Sequence, residues 1–152
     1  MSRNLNRRAA LAVGVGVVAA AWGGMAPRAL AAKNDSDELI RKFTDGKPAT
    51  EGRIRLDLPE IAENGNTVPM TVSVESPMTE QSYVRDVLIV ADGNPRGGVA
   101  TFHFSPESGV AEANVRIRLA ESQKIIAVAR MSDGSLFTTS KAVKVTIGGC
   151  GG

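Results

Sequence analysis

The sequence predicts an all-β protein with one short helix near its N-terminus, and two observations carry this prediction. Beyond residue 50, apolar and polar residues alternate with a period of two, which is the pattern of half-buried strands. Clusters of turn-forming residues separate these runs, as in Asn64-Gly65-Asn66 and in residues 132–135. No strand–helix–strand alternation is present, which argues against a parallel nucleotide-binding sheet.

The first 31 residues are predicted to be an export signal. Arg7 and Arg8 precede an apolar run at 9–26 that is rich in alanine and glycine, and small residues at 29 and 31 suit a signal peptidase. The paired arginines indicate the twin-arginine route for folded cargo, and the general secretion route stays open. Because the run is only weakly apolar, we expect it to be cleaved and not kept as a membrane anchor. No stable membrane insertion is therefore expected after its removal.

Removal of the signal changes the net charge. The 152-residue chain has a formal charge of +2, but four of its 18 basic and none of its 16 acidic residues precede residue 32. The remainder has 14 basic and 16 acidic residues, a net charge of about −2. Nothing therefore points to nucleic acid as a partner. The predicted organisation is a signal at 1–31, one β-sandwich domain at 32–147 and a C-terminal arm at 148–152.

One helix is predicted over residues 35–43. Asp35 or Ser36 is a suitable N-cap, and Gly46 followed by Pro48 ends the pattern. Such a short helix is not stable alone, so its apolar face must pack on another element. That face contains Leu39, Ile40 and Phe43.

The later segments predict about eight strands. The run at 84–91 is almost continuously apolar, as expected for a strand covered on both faces. Short strands at this spacing, joined by turns, predict two antiparallel sheets packed as an immunoglobulin-like β-sandwich. The predicted strands are 54–58, 68–74, 84–91, 99–104, 115–119, 125–129, 136–138 and 143–147.

The functional group is predicted at the C-terminus. After Ile147, the chain ends in Gly148, Gly149, Cys150, Gly151 and Gly152, and Cys150 is its one cysteine. Glycine has no Cβ, so these residues predict a thin, flexible arm that holds a thiol up to roughly 10 Å beyond the last strand. No base or cation that would activate a catalytic thiol lies nearby in the sequence. The pattern favours a carrier thiol over a cysteine enzyme.

His103, Cys150 and the methionines also allow other interpretations of the sequence. The one histidine, His103, is predicted to be a strand residue at a sheet surface rather than a catalytic base. A structural or adhesion-type sandwich whose Cys150 forms an intermolecular disulfide is the main alternative. A metal chaperone would combine Cys150 with Met70, Met78 and Met131, but these methionines share no spacing. No cofactor and no metal site are expected.

The ending GGCGG, after an exported β-rich domain with paired arginines, resembles SoxY, the sulfur-carrier subunit of the bacterial thiosulfate-oxidising (Sox) system. The resemblance covers the organisation of the whole chain and assigns one residue, Cys150, as the site of covalent attachment. It implies a non-catalytic carrier in the periplasm that forms a heterodimer with a SoxZ-like subunit. It also implies transient contacts with a haem-containing conjugating enzyme, a sulfate-releasing hydrolase and a sulfane dehydrogenase, with thiosulfate-derived sulfur as the covalent cargo.

Overall fold

The computed structural model describes residues 34–149, which form two β-sheets packed face to face. The predicted immunoglobulin-like β-sandwich with a short N-terminal helix is confirmed. The export signal with Arg7 and Arg8, and the terminal residues 150–152, lie outside the described residues. The elements are α1 (Ser36–Thr44), β1 (Thr50–Glu51), β2 (Ile54–Asp57), β3 (Ile61–Ala62), β4 (Val68–Val74), β5 (Val84–Ala91), β6 (Gly98–His103), β7 (Ala111–Ile117), β8 (Gln123–Met131) and β9 (Leu136–Val145).

The larger sheet has the strand order β1-β9-β8-β5-β6, and the smaller sheet has the order β2-β4-β7. The long strands pair antiparallel, as the sequence predicts. The structure has two strands that the sequence does not predict, the two-residue strands β1 and β3. Each pairs parallel with β9, with Thr50 opposite Phe137 and Ile61 opposite Lys144. Two residues are too few to show a period of two, so the sequence gives no signal for these strands.

The prediction of separate strands at 136–138 and 143–147 was wrong, because one strand, β9, runs from Leu136 to Val145. It pairs with β8 without a break, from Leu136 opposite Arg130 to Val143 opposite Gln123. The polar residues at 138–141 suggested an interruption, but the hydrogen bonds of a ladder need only backbone groups. These side chains are partly or fully exposed, so the strand continues at no cost in burial.

Strand β5 is buried on both faces, as predicted. Val87 and Ile89 are fully buried in the core between the sheets, together with Ile125 of β8 and Met70 of β4. Val90 alternates with them, points to the other face, and is also fully buried. Helix α1 packs against β5 and covers that outer face. Burial of one such side chain contributes about 1.5–3 kcal/mol.

The start of α1 is attached to the turn between β5 and β6. The Asn34 amide donates to the carbonyl oxygens of Ala91 and Asn94, each over 2.7 Å. Asp35 is the N-cap residue, but its Oδ1 accepts a hydrogen bond from the Gly97 amide (2.6 Å) and from no helix amide. The predicted side-chain cap is therefore replaced by a tertiary contact that fixes the helix to the sheet.

The end of α1 is attached to β8. The Arg130 guanidinium donates to the Phe43 carbonyl oxygen and lies 4.6 Å from the centre of the Phe43 ring. The helix ends at Thr44, and Asp45 adopts a left-handed conformation with φ of 53°. The residue that ends the helix is therefore Asp45, one position before the predicted Gly46. The Gly46 amide donates to the Arg41 carbonyl and so completes the cap.

Candidate functional site: the root of the C-terminal arm

The first two glycines of the predicted arm are fixed to the domain. The Gly149 amide donates to the Leu119 carbonyl, and the Leu119 amide donates to the Gly65 carbonyl, each over 2.8 Å. The Gly65 amide in turn donates to the Ile147 carbonyl, also over 2.8 Å. These bonds join three chain segments, which we call the arm root: residues 64–66, 118–120 and 146–149. The prediction that Gly148 and Gly149 extend freely from the domain is therefore corrected.

The glycines of the arm root are required by close packing of backbone against backbone. A Cβ atom on Gly148 would lie 2.1 Å from the Ala120 carbonyl oxygen, and one on Gly65 would lie 2.2 Å from the Leu119 carbonyl oxygen. On Gly149 it would lie 2.9 Å from the Gly65 carbonyl oxygen. Carbon atoms do not approach oxygen this closely without a bond, so each position excludes a side chain.

The role of Gly65 is not visible in the sequence. The cluster 64–66 does form the predicted turn, in which the Asn66 amide donates to Asn64 Oδ1 over 2.9 Å. The contact between Gly65 and Gly149 joins residues more than 80 positions apart, and only the folded structure shows it. A glycine inside a turn cluster carries no sign of such a contact.

A buried amide network supports the arm root from the other side. Asn94 is 5% exposed; its Nδ2 donates to the Arg118 carbonyl and its Oδ1 accepts from the Ala120 amide, both over 2.9 Å. Gln123, also buried, donates to Asn94 Oδ1 over 2.8 Å. Residues 118–120 are thus held between Asn94 on one side and Gly65 with Gly149 on the other.

The predicted carrier residue follows this fixed segment directly. Cys150, Gly151 and Gly152 lie outside the described residues, so the structure locates only the point from which they start. That point is Gly149 at the Leu119 carbonyl. Three residues span at most roughly 10 Å when fully extended.

His103 lies at the surface end of β6, the strand position that the sequence predicts. Its side chain is 75% exposed, and Nδ1 lies 2.6 Å from Asp86 Oδ1. Arg130 Nη1 approaches the other oxygen of Asp86 at 3.9 Å. The imidazole is therefore linked through Asp86 to Arg130, and it is Arg130 that contacts α1 at Phe43.

The three methionines of the metal-chaperone alternative are buried in the core. Met70, Met78 and Met131 are between 2% and 6% exposed, and Met78 Sδ accepts the Val84 amide. Their sulfur atoms are enclosed by the sandwich, away from solvent. Among residues 34–149, no group of three or more His, Cys, Asp and Glu side chains could hold a metal ion. No helix in that range is long and apolar enough to cross a membrane.

Comparison with known proteins gives one family match and several similar structures. The family model "Sulfur oxidation protein SoxY" matches residues 40–150, and so includes Cys150. No curated protein sequence matches the chain. The structure of the sulfur carrier protein SoxY from Chlorobium limicola f thiosulfatophilum is 32% identical, with a TM-score of 0.61, over 73% of this chain and 96% of that one.

Two further similar structures are superoxide reductases. The protein from Ignicoccus hospitalis (neelaredoxin) is 17% identical, with a TM-score of 0.57, over 62% of this chain and 80% of that one. The protein from Nanoarchaeum equitans is 16% identical, with a TM-score of 0.54, over 64% of this chain and 100% of that one. At these identities the likeness shows a shared β-sandwich fold and nothing about chemistry.

Proposed function

Because the chain belongs to the SoxY family of sulfur oxidation proteins, we propose that it is a sulfur carrier that holds its cargo covalently on the Cys150 thiol. One observation carries this proposal. The family match extends to residue 150, so it includes the chain's one cysteine, and Gly149, directly before that cysteine, is hydrogen-bonded to the domain.

The proposed carrier takes part in two bond changes on one sulfur atom. Conjugation converts Cys–SH and thiosulfate into Cys–S–S–SO₃⁻, releasing one proton and two electrons, and the electrons pass to a haem-containing enzyme. Hydrolysis with one water then gives Cys–S–SH, sulfate and one proton. A sulfane dehydrogenase oxidises the sulfur that remains.

The short tip suits transfer between different enzymes. Glycine at 151 and 152 gives the tip the smallest cross-section a peptide can have. A partner's pocket can then enclose the cargo and activate the sulfur, while the folded domain stays outside.

We further propose that the protein works in the periplasm as a heterodimer with a SoxZ-like β-sandwich subunit. The signal with Arg7 and Arg8 supports export of a folded cargo. Ile61 and Ile147, on neighbouring segments near the arm root, are 58% and 67% exposed, which supports a protein partner. Exposed apolar groups on an isolated domain lower its solubility, and a partner would cover them.

Co-expression tests the partner and the route of export together. We expect size-exclusion chromatography to give a one-to-one complex with the SoxZ-like subunit. Replacing Arg7 and Arg8 with lysine should leave both proteins in the cytoplasm, because the subunit without a signal is exported only with its partner. A subunit that reaches the periplasm while this chain does not would contradict joint export, and the carrier role of Cys150 would be unaffected.

The carrier function is tested by the intact mass of the protein isolated from cells that oxidise thiosulfate. We expect a series of adducts of sulfur and of thiosulfonate, all confined to the peptide that contains Cys150 and all removed by dithiothreitol. The structural alternative predicts a single disulfide-linked species that does not change with the sulfur source. Finding only that species, with no sulfur adduct, would contradict the proposed function.

A further inference from the structure

The turn in the arm root contains the one Asn-Gly pair of the sequence, Asn64-Gly65. An asparagine before glycine deamidates without an enzyme, because the glycine amide nitrogen attacks the side-chain carbonyl carbon of the asparagine. Glycine leaves this attack unhindered, since it has no Cβ. The side chain of Asn64 is exposed to water and base, whereas Gly65 is buried. The pair is therefore chemically reactive in sequence but only half accessible in the fold.

The carbon that would be attacked is polarised by the turn itself. Asn64 Oδ1 accepts a hydrogen bond from the Asn66 amide over 2.9 Å. This bond draws electron density from the side-chain carbonyl, and it would stabilise the negative charge that develops on the oxygen when a nitrogen adds. The turn therefore favours reaction at the side chain of Asn64.

The attacking nitrogen, in contrast, is restrained by the arm root. The Gly65 amide donates to the Ile147 carbonyl, and the Gly65 carbonyl accepts from the Leu119 amide, each over 2.8 Å. The nitrogen must give up the proton of this bond and turn toward the side chain before the ring can close. The space beside Gly65 is filled, because a Cβ placed there would lie 2.2 Å from the Leu119 carbonyl oxygen and 2.7 Å from the Gly149 nitrogen.

We propose that Asn64 is a site of spontaneous deamidation whose rate is set by opening of the arm root. While the Gly65 amide is bonded to Ile147, the nitrogen does not react. When residues 146–149 detach, the nitrogen is free and the side chain beside it is already polarised. Detachment of such a segment is a local opening that does not require the whole domain to unfold. The proposal concerns the folded chain and does not depend on the carrier function.

The reaction balances without an oxidant or a cofactor. The Gly65 nitrogen loses its proton and bonds to Asn64 Cγ, while the bond from Cγ to the amide nitrogen breaks and ammonia leaves with that proton. One water then opens the cyclic imide. Cleavage at the backbone carbonyl gives isoaspartate, and cleavage at Cγ gives aspartate. Either product carries a hydroxyl where the asparagine carried an amino group, and ionises to a carboxylate.

Isoaspartate at position 64 would keep the arm root open. It routes the main chain through the former side chain, which adds one carbon atom between residues 64 and 65. The amide and carbonyl of Gly65 then no longer lie opposite Ile147 and Leu119 together, so the bonds that hold the root are lost. Deamidation thus leaves a permanent record that the segment before Cys150 has detached.

The test follows the mass of the peptide that contains Asn64 during incubation of the purified protein, with Cys150 blocked beforehand by iodoacetamide. Isoaspartyl methyltransferase then distinguishes isoaspartate from aspartate in that peptide. We expect the folded wild type to react at least tenfold more slowly than the chain in denaturant, since an opening free energy of about 1.4 kcal/mol already gives that ratio.

Variants that loosen the arm root and leave the Asn-Gly pair unchanged decide the outcome. Gly148→Ala places a Cβ 2.1 Å from the Ala120 carbonyl oxygen, so the segment should detach and deamidation should speed up about tenfold. Thr146→Val is milder, because it removes the hydrogen bond of Oγ1 to the Glu63 carbonyl over 2.9 Å, and should speed the reaction about fivefold. The matched control, Gly46→Ala, adds a Cβ that meets no atom within 4 Å and should leave the rate unchanged.

Hydrogen exchange at the Gly65 amide is measured in the same variants, and the proposal requires exchange and deamidation to rise together. It would be overturned if the amide exchanged faster while Asn64 reacted no faster, or if neither variant opened the amide. Deamidation of the folded wild type at the rate of the denatured chain would show that the root exerts no control. Absence of product at Asn64 in denaturant would show that the site does not react. If circular dichroism shows that Gly148→Ala does not fold, Thr146→Val decides alone.

Discussion

Replacing Cys150 with serine should reduce thiosulfate-dependent turnover of a reconstituted Sox system to background, with no change in melting temperature. A serine hydroxyl is nearly the same size as a thiol but cannot form the sulfur–sulfur bond on which the proposed function rests. The core between the sheets is built from side chains of residues 54–143, so the replacement should not disturb it. Turnover is measured as reduction of the haem electron acceptor, and stability by circular dichroism.

Ser122→Ala provides the control for this experiment. Ser122 lies beside the arm root, where its hydroxyl accepts from the Val145 amide over 2.9 Å and donates to the Val145 carbonyl over 3.4 Å. Loss of these two exposed bonds should cost about 1–2 kcal/mol and leave turnover intact. A fall of many degrees in the melting temperature of Cys150→Ser would instead show that the cysteine has a structural role.

The elements that the sequence predicts well are those with an apolar pattern over many residues. Strand β4 buries every second side chain and its sequence alternates accordingly, whereas β5 and β8 are recognised by nearly continuous apolar runs. Strands β1 and β3 were missed because each is two residues long and is held by pairing with β9. The sequence predicted two strands in place of β9 because the middle residues of β9 are polar. The hydrogen bonds that continue the strand there are made by the backbone, which leaves no pattern in the sequence.

The residues of the functional site are likewise predictable only in part. Cys150 stands out in the sequence because its surroundings are all glycine at the end of the chain. Gly65, Asn94 and Gln123 do not stand out, since each is an ordinary residue of a turn or strand until the fold brings it to residues 118–120. In the sequence, the terminal glycines suggest a flexible segment. The structure shows that Gly148 and Gly149 also allow backbone to pack closely against backbone. The sequence thus predicts Cys150 as the reactive group, and it carries no sign of the contacts that hold the residues before it.

Gly65→Ala tests whether the arm root is the rigid base from which the thiol is presented. The new Cβ would lie 2.2 Å from the Leu119 carbonyl oxygen, so the backbone must separate and the bonds to Ile147 and Leu119 weaken. We expect a loss of about 2–4 kcal/mol, from overpacking and broken buried hydrogen bonds. For a domain of this size, that corresponds to a fall in melting temperature of roughly 6–15 °C.

The matched control is Gly46→Ala. A Cβ on Gly46 meets no atom within 4 Å, so only the strain of its φ of 72° is added, at about 1 kcal/mol. Hydrogen exchange at the amides of Leu119 and Gly149 should speed up in Gly65→Ala by more than the global loss of stability accounts for, and should follow global stability in Gly46→Ala. Equal melting temperatures and equal exchange in the two variants would show that the terminal glycines are not held by Gly65, and the arm would then begin at Ile147.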